Sequence, residues 1–323
     1  MLFRSNSEDI NKRVPKARSR RGESAFAKLQ SSVLIELRNR NPLAARVGRN
    51  GESEWVLGLE MLDFLPDNVM LLADRLYGCG AFLMKAMEAL KARNGHFLVR
   101  VKGNLKVSKV LKRHKDGSRT VEVDVRDPEN PRRTIATLQV REIVGKIQRK
   151  GFRTQTIRLW TSILDPEHST AKELIELYAQ RWDQELYYRE LKAGMMSGDL
   201  LQSQTLETAC QEVAAMIIGS SLIAEERAKI QAGQPMEKRV SMMKTWAYME
   251  PLWLALIAGA EILSSEQKQQ LADKFRELIA TMSVDKKRSR SNPRVVRQPV
   301  KGWPRKRAQK SHEGQLHVTI SRA

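Results

Sequence analysis

Acidic residues are scarce in this chain: 37 Asp and Glu stand against 57 Lys and Arg over 323 residues, a formal charge of +20 at pH 7. Solubility alone asks for far less, so the imbalance points to a polyanionic partner. Long hydrophobic runs are missing too, with no unbroken stretch of 18 or more apolar residues to span a bilayer, which favours nucleic acid over an acidic membrane surface. Cysteine is almost absent. Cys79 and Cys210 are too few for a disulfide framework and show no metal-ligand spacing with the five histidines. Both are expected as small buried hydrophobes in a reducing cytoplasm. A secretory leader is not visible at Met1, because Arg4, Ser5, Asn6 and Ser7 interrupt any apolar region.

What is present suffices for a substantial core: 41% of residues are hydrophobic, enough for one large domain with an insertion or two smaller ones. Residues 1–24 are polar and basic and read as an arm or a strand remnant. KLQSSVLIELRN and PLAARVG, parted by the turn-prone Asn39-Arg40-Asn41-Pro42, read as paired antiparallel strands. A helix is expected from Glu52 to Leu65, stopped by Pro66-Asp67. Val69 to Ala73 has the look of a fully buried strand, with Asp74 at its carboxyl end. AFLMKAMEALKARN is expected as a helix ended by Asn94-Gly95, and HFLVRVK as another strand. The alternation gives an α/β class, with residues 25–103 as the first part of its core.

Residues 104–158 change character. GSRTVEVDVRD, TIATLQVREIV and FRTQTIRLW are expected as short strands of a β-rich insertion. Residues 159–283 then read as completion of the core by helices, including 203–231 and 252–282. Residues 284–323 form a basic tail with eleven Lys or Arg between Lys286 and Lys310 and no acid, expected to be disordered when free.

The most informative stretch is YAQRWDQELYYRELK. On one continuous helix entered at Ser169-Thr170 and ended near Gly194, Tyr178, Arg181, Glu185 and Lys192 fall within roughly 60° of one another. A carboxylate that can hold a metal, two cations that can hold phosphate oxygens and a phenol would then share a face. Phosphodiester chemistry without a covalent intermediate commonly uses divalent ions held by carboxylates on rigid elements. Asp74 at a strand end and Glu185 on a helix meet that requirement. Each has a plainer reading, as a loop residue and as a solvated helical acid.

The spacing Y-(2)-R-(3)-E-(6)-K, together with LLADRLYGCGAFLMKAMEALKARNGHFLVRVKG, resembles DDE transposases of the insertion-sequence-four type, over residues 26–198. The resemblance implies a ribonuclease H-like core interrupted by the β-rich insertion, and metal-dependent DNA cleavage and strand transfer at insertion-sequence ends. Asp74 and Glu185 would be the second and third acidic ligands of Mg²⁺, or of Mn²⁺. Tyr178, Arg181 and Lys192 would grip DNA phosphates, and Arg75 would contact DNA or pair with a carboxylate. Implied partners are double-stranded DNA at transposon ends and in the target, with a homodimer in the DNA complex and a nucleoid-associated, cytoplasmic location.

Met1-Leu2-Phe3-Arg4 looks like the strand just past that family's first catalytic Asp. The chain is therefore expected to be a truncated copy without that carboxylate, Asp9 being the nearest acid. The alternative is a noncatalytic DNA-binding remnant that interferes with full-length copies. Trp182 and Trp160 read first as core residues, His96 and His114 as ordinary strand and loop residues, and Trp303 as a base-stacking candidate in the tail.

Overall fold

The computed structural model describes residues 2–16, 18–19, 22–24, 26–48, 52–130, 132–148, 155–196, 200–235, 238–285 and 317–320. The chain opens with β1 (Leu2–Ser5), α1 (Glu8–Arg13), β2 (Arg18–Ser19), β3 (Gly22–Glu23), β4 (Ala27–Glu36), β5 (Asn41–Val47) and α2 (Glu54–Glu60), which runs into a 3-10 turn at Met61–Phe64. Next come β6 (Met70–Ala73), α3 (Gly80–Lys91), β7 (His96–Arg100), β8 (Lys109–Arg113), β9 (Arg119–Arg126), β10 (Thr134–Gln148), β11 (Gln155–Thr161) and α4 (Ala171–Ala179). The last part holds α5 (Trp182–Met195), α6 (Leu206–Ala232), β12 (Lys238–Arg239), α7 (Met242–Ala258), α8 (Ser265–Thr281), β13 (Val284–Asp285) and β14 (His317–Ile320). Two compact units result: Met1–Phe64 with Trp182–Lys286, and Leu65–Arg181 with Lys287–Ala323.

The first unit contains the antiparallel sheet β1-β4-β5. The expected hairpin is formed, with Val33 opposite Ala45 and a turn in which Arg40 takes φ 56°. Residues 2–14, read above as part of an arm or a strand remnant, hold a strand and a short helix. β1 pairs with β4, setting Phe3 opposite Leu29, and Ser7 caps α1 by accepting from the Ile10 N–H. Glu8 and Asp9 lie in the first turn of α1 and Lys12 and Arg13 in its last, the order its macrodipole favours. Phe3, Ile10 and Val14, dispersed among cations in the sequence, are buried with Leu29, Tyr187, Leu191, Leu206 and Val213. Asp9 is engaged structurally: its Oδ2 accepts the Leu206 N–H at 3.0 Å, where α6 begins.

Among the described residues α6 is the one helix long and apolar enough, by length and composition, to cross a membrane. Its Ala209, Val213, Met216 and Ile217 pack into the core of this unit, and Ile223 and Ile230 pack with Met249 and Leu252 of α7 and Ile279 of α8. The helical stretch expected at 252–282 starts earlier, at Met242, and is divided after Ala258, where Gly259 ends α7 and Ser264 caps α8.

The second unit is built on one sheet, in the order β6-β7-β11-β10-β9-β8, with β14 also paired to β10. β6 and β7 are parallel; the other pairs are antiparallel. β11 takes the edge of β7, with Trp160 opposite Val99, so the strands of 104–158, read above as a β-rich insertion, continue the sheet that β6 and β7 begin. β6 itself corrects the expectation of a fully buried strand, since Ala73 is buried while Met70 to Leu72 are only half-buried, as suits a strand at the sheet's edge. β14 lies within the segment expected to be disordered, whereas the basic run from Lys286 to Lys310 and Trp303 fall outside the described residues.

Two buried ionic networks knit this sheet. Arg141, fully buried, donates to Ser118 Oγ, to Asp116 and to the carbonyls of Asp165 and Ser169. Glu142 accepts from Arg119, Arg158 and the indole N–H of Trp160. Burial works to raise the Glu142 pKa, but the bonds from Trp160 and Arg119 and the charge of Arg158 outweigh it and hold the carboxyl below its ordinary value. Trp160 is thus a core residue, as read. His96 and His114 bond Ser162 and Thr120. Cys210 is buried and Cys79 half-buried; the side chain of Trp182 lies outside the described residues.

Candidate active site

In the second unit the site residues gather where β6 ends. Asn68, at φ 53°, donates its N–H to the Arg93 carbonyl at 2.8 Å, and Asn94 Nδ2 donates to Asn68 Oδ1 at 2.8 Å, so the end of α3 fixes the start of β6. After Ala73 the chain turns sharply. Asp74 Oδ1 accepts the Arg75 N–H at 2.6 Å and the Asp74 carbonyl accepts the Tyr77 N–H at 3.0 Å. A side chain at Gly78 would run into the carbonyl of Arg100, so only glycine lets this turn lie against the end of β7. Asp74 is half-buried and Arg75 is exposed. An ionised carboxylate offers about four lone-pair sites, and the Arg75 N–H uses one.

Helix α4 brings Tyr178 to the same place. Thr170 caps it in a reciprocal box with Glu173, as the sequence predicts, and Asp116 Oδ2 accepts the Ala171 N–H at 2.8 Å. Ala171, Leu174, Ile175 and Tyr178 form its buried stripe, packed with Leu98, Ile143 and Leu159. The Tyr178 hydroxyl donates to the Ala73 carbonyl at 3.2 Å, one residue before Asp74. Its ring is buried, and Arg181 lies 5.9 Å from the ring centroid. Burial pushes the phenol pKa upward; the charges of Arg181 and Arg100 oppose that, and Asp74 adds to it. Arg100 was not foreseen as part of this group, though a cation at the carboxyl end of the strand HFLVRVK was a readable signal.

The single helix expected from Ser169 to Gly194 is not formed. α4 ends at Ala179, Gln180 and Arg181 make turn bonds to the carbonyls of Leu177 and Tyr178 at 3.0 Å each, and α5 starts at Trp182. No Gly or Pro marks the break. The four residues therefore do not share one helical face. Tyr178 and Arg181 belong to the second unit with Asp74; Glu185 and Lys192 belong to the first.

On α5 Glu185 and Lys192 stay together, since seven residues return to within about 20° of the start. Both are exposed. Tyr187 and Leu191 line the opposite side and are buried against α6 residues, the Tyr187 hydroxyl lying 3.0 Å from Ser220 Oγ with its pKa pushed up to about 12 by burial. Lys192 Nζ donates to the Leu2 carbonyl at 2.7 Å and sits 5.7 Å from the Phe3 ring centroid. Glu190, on the same helix, lies 3.1 Å from Arg40 and 3.9 Å from Arg227.

Asp74 and Glu185 are hard oxygen donors of the kind that suits Mg²⁺ or Mn²⁺. Among the described residues no group of three or more His, Cys, Asp or Glu is gathered for a metal. Around the buried Tyr178 hydroxyl the strand-end carboxylate of Asp74 is joined by the cations Arg100 and Arg181. The Transposase DDE domain model matches residues 11–221, and the chain belongs to that family. Comparison with curated proteins gives no match. Membership carries transposase function, a DNA phosphoryl-transfer chemistry that in the family generally uses divalent metal ions, and DNA as substrate.

Proposed function

We propose that the chain is a transposase of the insertion-sequence-four type, with a ribonuclease H-like core, cutting and joining DNA at insertion-sequence ends. The observation that carries this is the Asp74 corner, a half-buried carboxylate beyond β6, next to the Ala73 carbonyl that takes the Tyr178 hydroxyl, around which Arg100 and Arg181 also act. Asp74 of the second unit and Glu185 of the first are each proposed as an acidic ligand of a divalent ion, Mg²⁺ or Mn²⁺. When bound, the ion lowers the pKa of water and balances charge on the reacting phosphate. Arg75, Arg181 and Lys192 hold phosphate oxygens near the reacting end. Tyr178, expected above as a DNA contact, acts instead by fixing the residue next to Asp74, its buried hydroxyl donating to the Ala73 carbonyl. The DNA complex contains two copies, and the site of action is the nucleoid in the cytoplasm.

The test is cleavage of duplex DNA carrying the ends of the encoding element, with Mg²⁺ or Mn²⁺. Asp74→Ala and Glu185→Ala should each reduce cleavage to background while duplex binding persists; cleavage indifferent to Glu185→Ala would sink the proposal. The alternative is a noncatalytic DNA-binding transposase that competes with active copies for ends. Duplex binding with no metal-dependent cleavage in the unaltered chain would support it.

A further inference from the structure

β8 is the outer strand at the far end of the second unit's sheet from β6, and all five of its residues are exposed. It lies in a segment of one charge sign. From residue 102 to 115 there are six Lys or Arg and no acid, and Lys102, Lys106, Lys109, Lys112, Arg113 and Lys115 are all exposed. An edge strand needs some protection against pairing with another chain, and a single lysine or a bulge supplies it. β8 already has an irregularity between Val110 and Lys112. Six further charges of one sign exceed that need.

The irregularity also decides where the charges point. In a regular strand residues three apart face opposite sides. Here Lys109 stands opposite Glu122 and Lys112 opposite Thr120, two positions apart on β9 and so on the same face. Val110 stands opposite Val121, on the apolar face that also carries Val123 and Val125. The nearby acids are largely engaged. Asp124 accepts from Ser108 Oγ at 2.5 Å and pairs with Arg126 at 2.9 Å, and Asp116 is held by Arg141. Glu122 opposes Lys109 alone, leaving the edge net positive.

We propose that the β8 edge is a sequence-independent docking surface for the phosphate backbone of duplex DNA, separate from the Asp74 corner. The occupant follows from charge complementarity: five strand residues span roughly 15 Å, over which a duplex presents about nine phosphate charges. The inference rests on the DNA-processing reading above, and goes beyond it by naming a surface used for holding DNA rather than for cutting it.

The experiment measures the affinity of the full chain for a short labelled duplex of mixed sequence across a salt series. Lys109→Gln, Lys112→Gln and Lys115→Gln together keep the edge polar while removing charge. Affinity at 0.1 M salt should fall at least about tenfold, and the log–log salt slope should flatten by about 2–3, close to 0.9 per lost phosphate contact. The matching Lys→Arg triple should restore both. A comparison triple, Lys85→Gln, Lys91→Gln and Lys172→Gln, removes the same charge from α3 and α4 and should leave the slope unchanged. Unaltered binding in the β8 triple, or an equal loss in the comparison triple, overturns the proposal while leaving the transposase reading intact. No duplex binding by the unaltered chain overturns both.

Discussion

The two units treat buried charge differently. In the second, Arg141 and Glu142 are adjacent on β10, both fully enclosed, and each is met by several partners of good geometry. In the first, Arg40, Glu190 and Arg227 are close in distance but poorly aligned: Arg40 Nη1, Glu190 Oε2 and Arg227 Nη1 are buried without a hydrogen-bond partner among the described residues. Burial, with the charge of Arg40 adding to it, lowers the Arg227 pKa to about 10, against the pull of Glu190. A saturated network is rigid and costly to break; an unsaturated one stabilises little and can rearrange. The saturated network supports α4, through Asp116 and the Ala171 N–H, and so the strand end that carries Asp74. The unsaturated one joins the β4–β5 turn and α6 to Glu190 of α5, the helix of Glu185.

That contrast can be broken most directly at Arg141. Arg141→Ala removes the cation from Asp116, which keeps only its bonds from Ser118 and Ala171, and the guanidinium donor from two carbonyls, and should cost ~3–5 kcal/mol in denaturant unfolding of the second unit. A loss below ~1 kcal/mol would show that the network is not the support described. At Glu190 the expected loss is smaller. Glu190→Gln leaves Arg40 and Arg227 without that carboxylate for ~1–3 kcal/mol, and adding Arg227→Met should recover part of it, because one of the two uncompensated charges is then gone. Recovery on the Arg141 side by an equivalent apolar replacement is not expected, since its carbonyl partners would stay unbonded.

Tyr178→Phe should cost ~1 kcal/mol, one hydrogen bond to the Ala73 carbonyl. If Tyr178 acts through Asp74, Phe should also weaken metal dependence of cleavage while leaving duplex affinity unchanged; a loss of affinity alone would return the phenol to direct DNA contact.

Acid titration gives the smallest effect and the sharpest sign. Glu142 and Asp116 have lowered pKa values; for Asp116, burial acts upward and is outweighed by the bonds from Ser118 and Ala171 and the charge of Arg141. Their stabilisation is complete above the ordinary carboxylate range, about pH 4, and is lost as pH falls below it through the folded values. Asp183 of the first unit has the opposite sign: burial raises its pKa despite Arg40, Arg239 and Arg227, so acid relieves a cost there. Unfolding followed from pH 6 to pH 3 should therefore show Asp183→Asn removing a stabilising slope, and Glu142→Gln a destabilising one. Equal slopes in both variants would contradict this assignment.

The sequence by itself determined the elements whose cause is local. Apolar alternation and short apolar runs marked β4, β5, β7 and β9 to β11, the Thr170–Glu173 box fixed the start of α4, and Asp74 was placed at the end of its strand. The residue spacing also pointed to the family that the domain match shows. Tertiary structure alone decided what depends on partners distant in the chain. The break at Gln180–Arg181 carries no Gly or Pro, yet it undoes the shared helical face inferred from a constant 100° step. The pairing of β11 with β7 joined the strands of 104–158 to the sheet of β6 and β7, and the irregularity in β8 set two lysines on one face where a regular strand would have parted them. Periodicity is a property of neighbours in sequence, whereas register, helix breaks and sheet order are settled by which distant surface offers the better burial and the unmet hydrogen bonds.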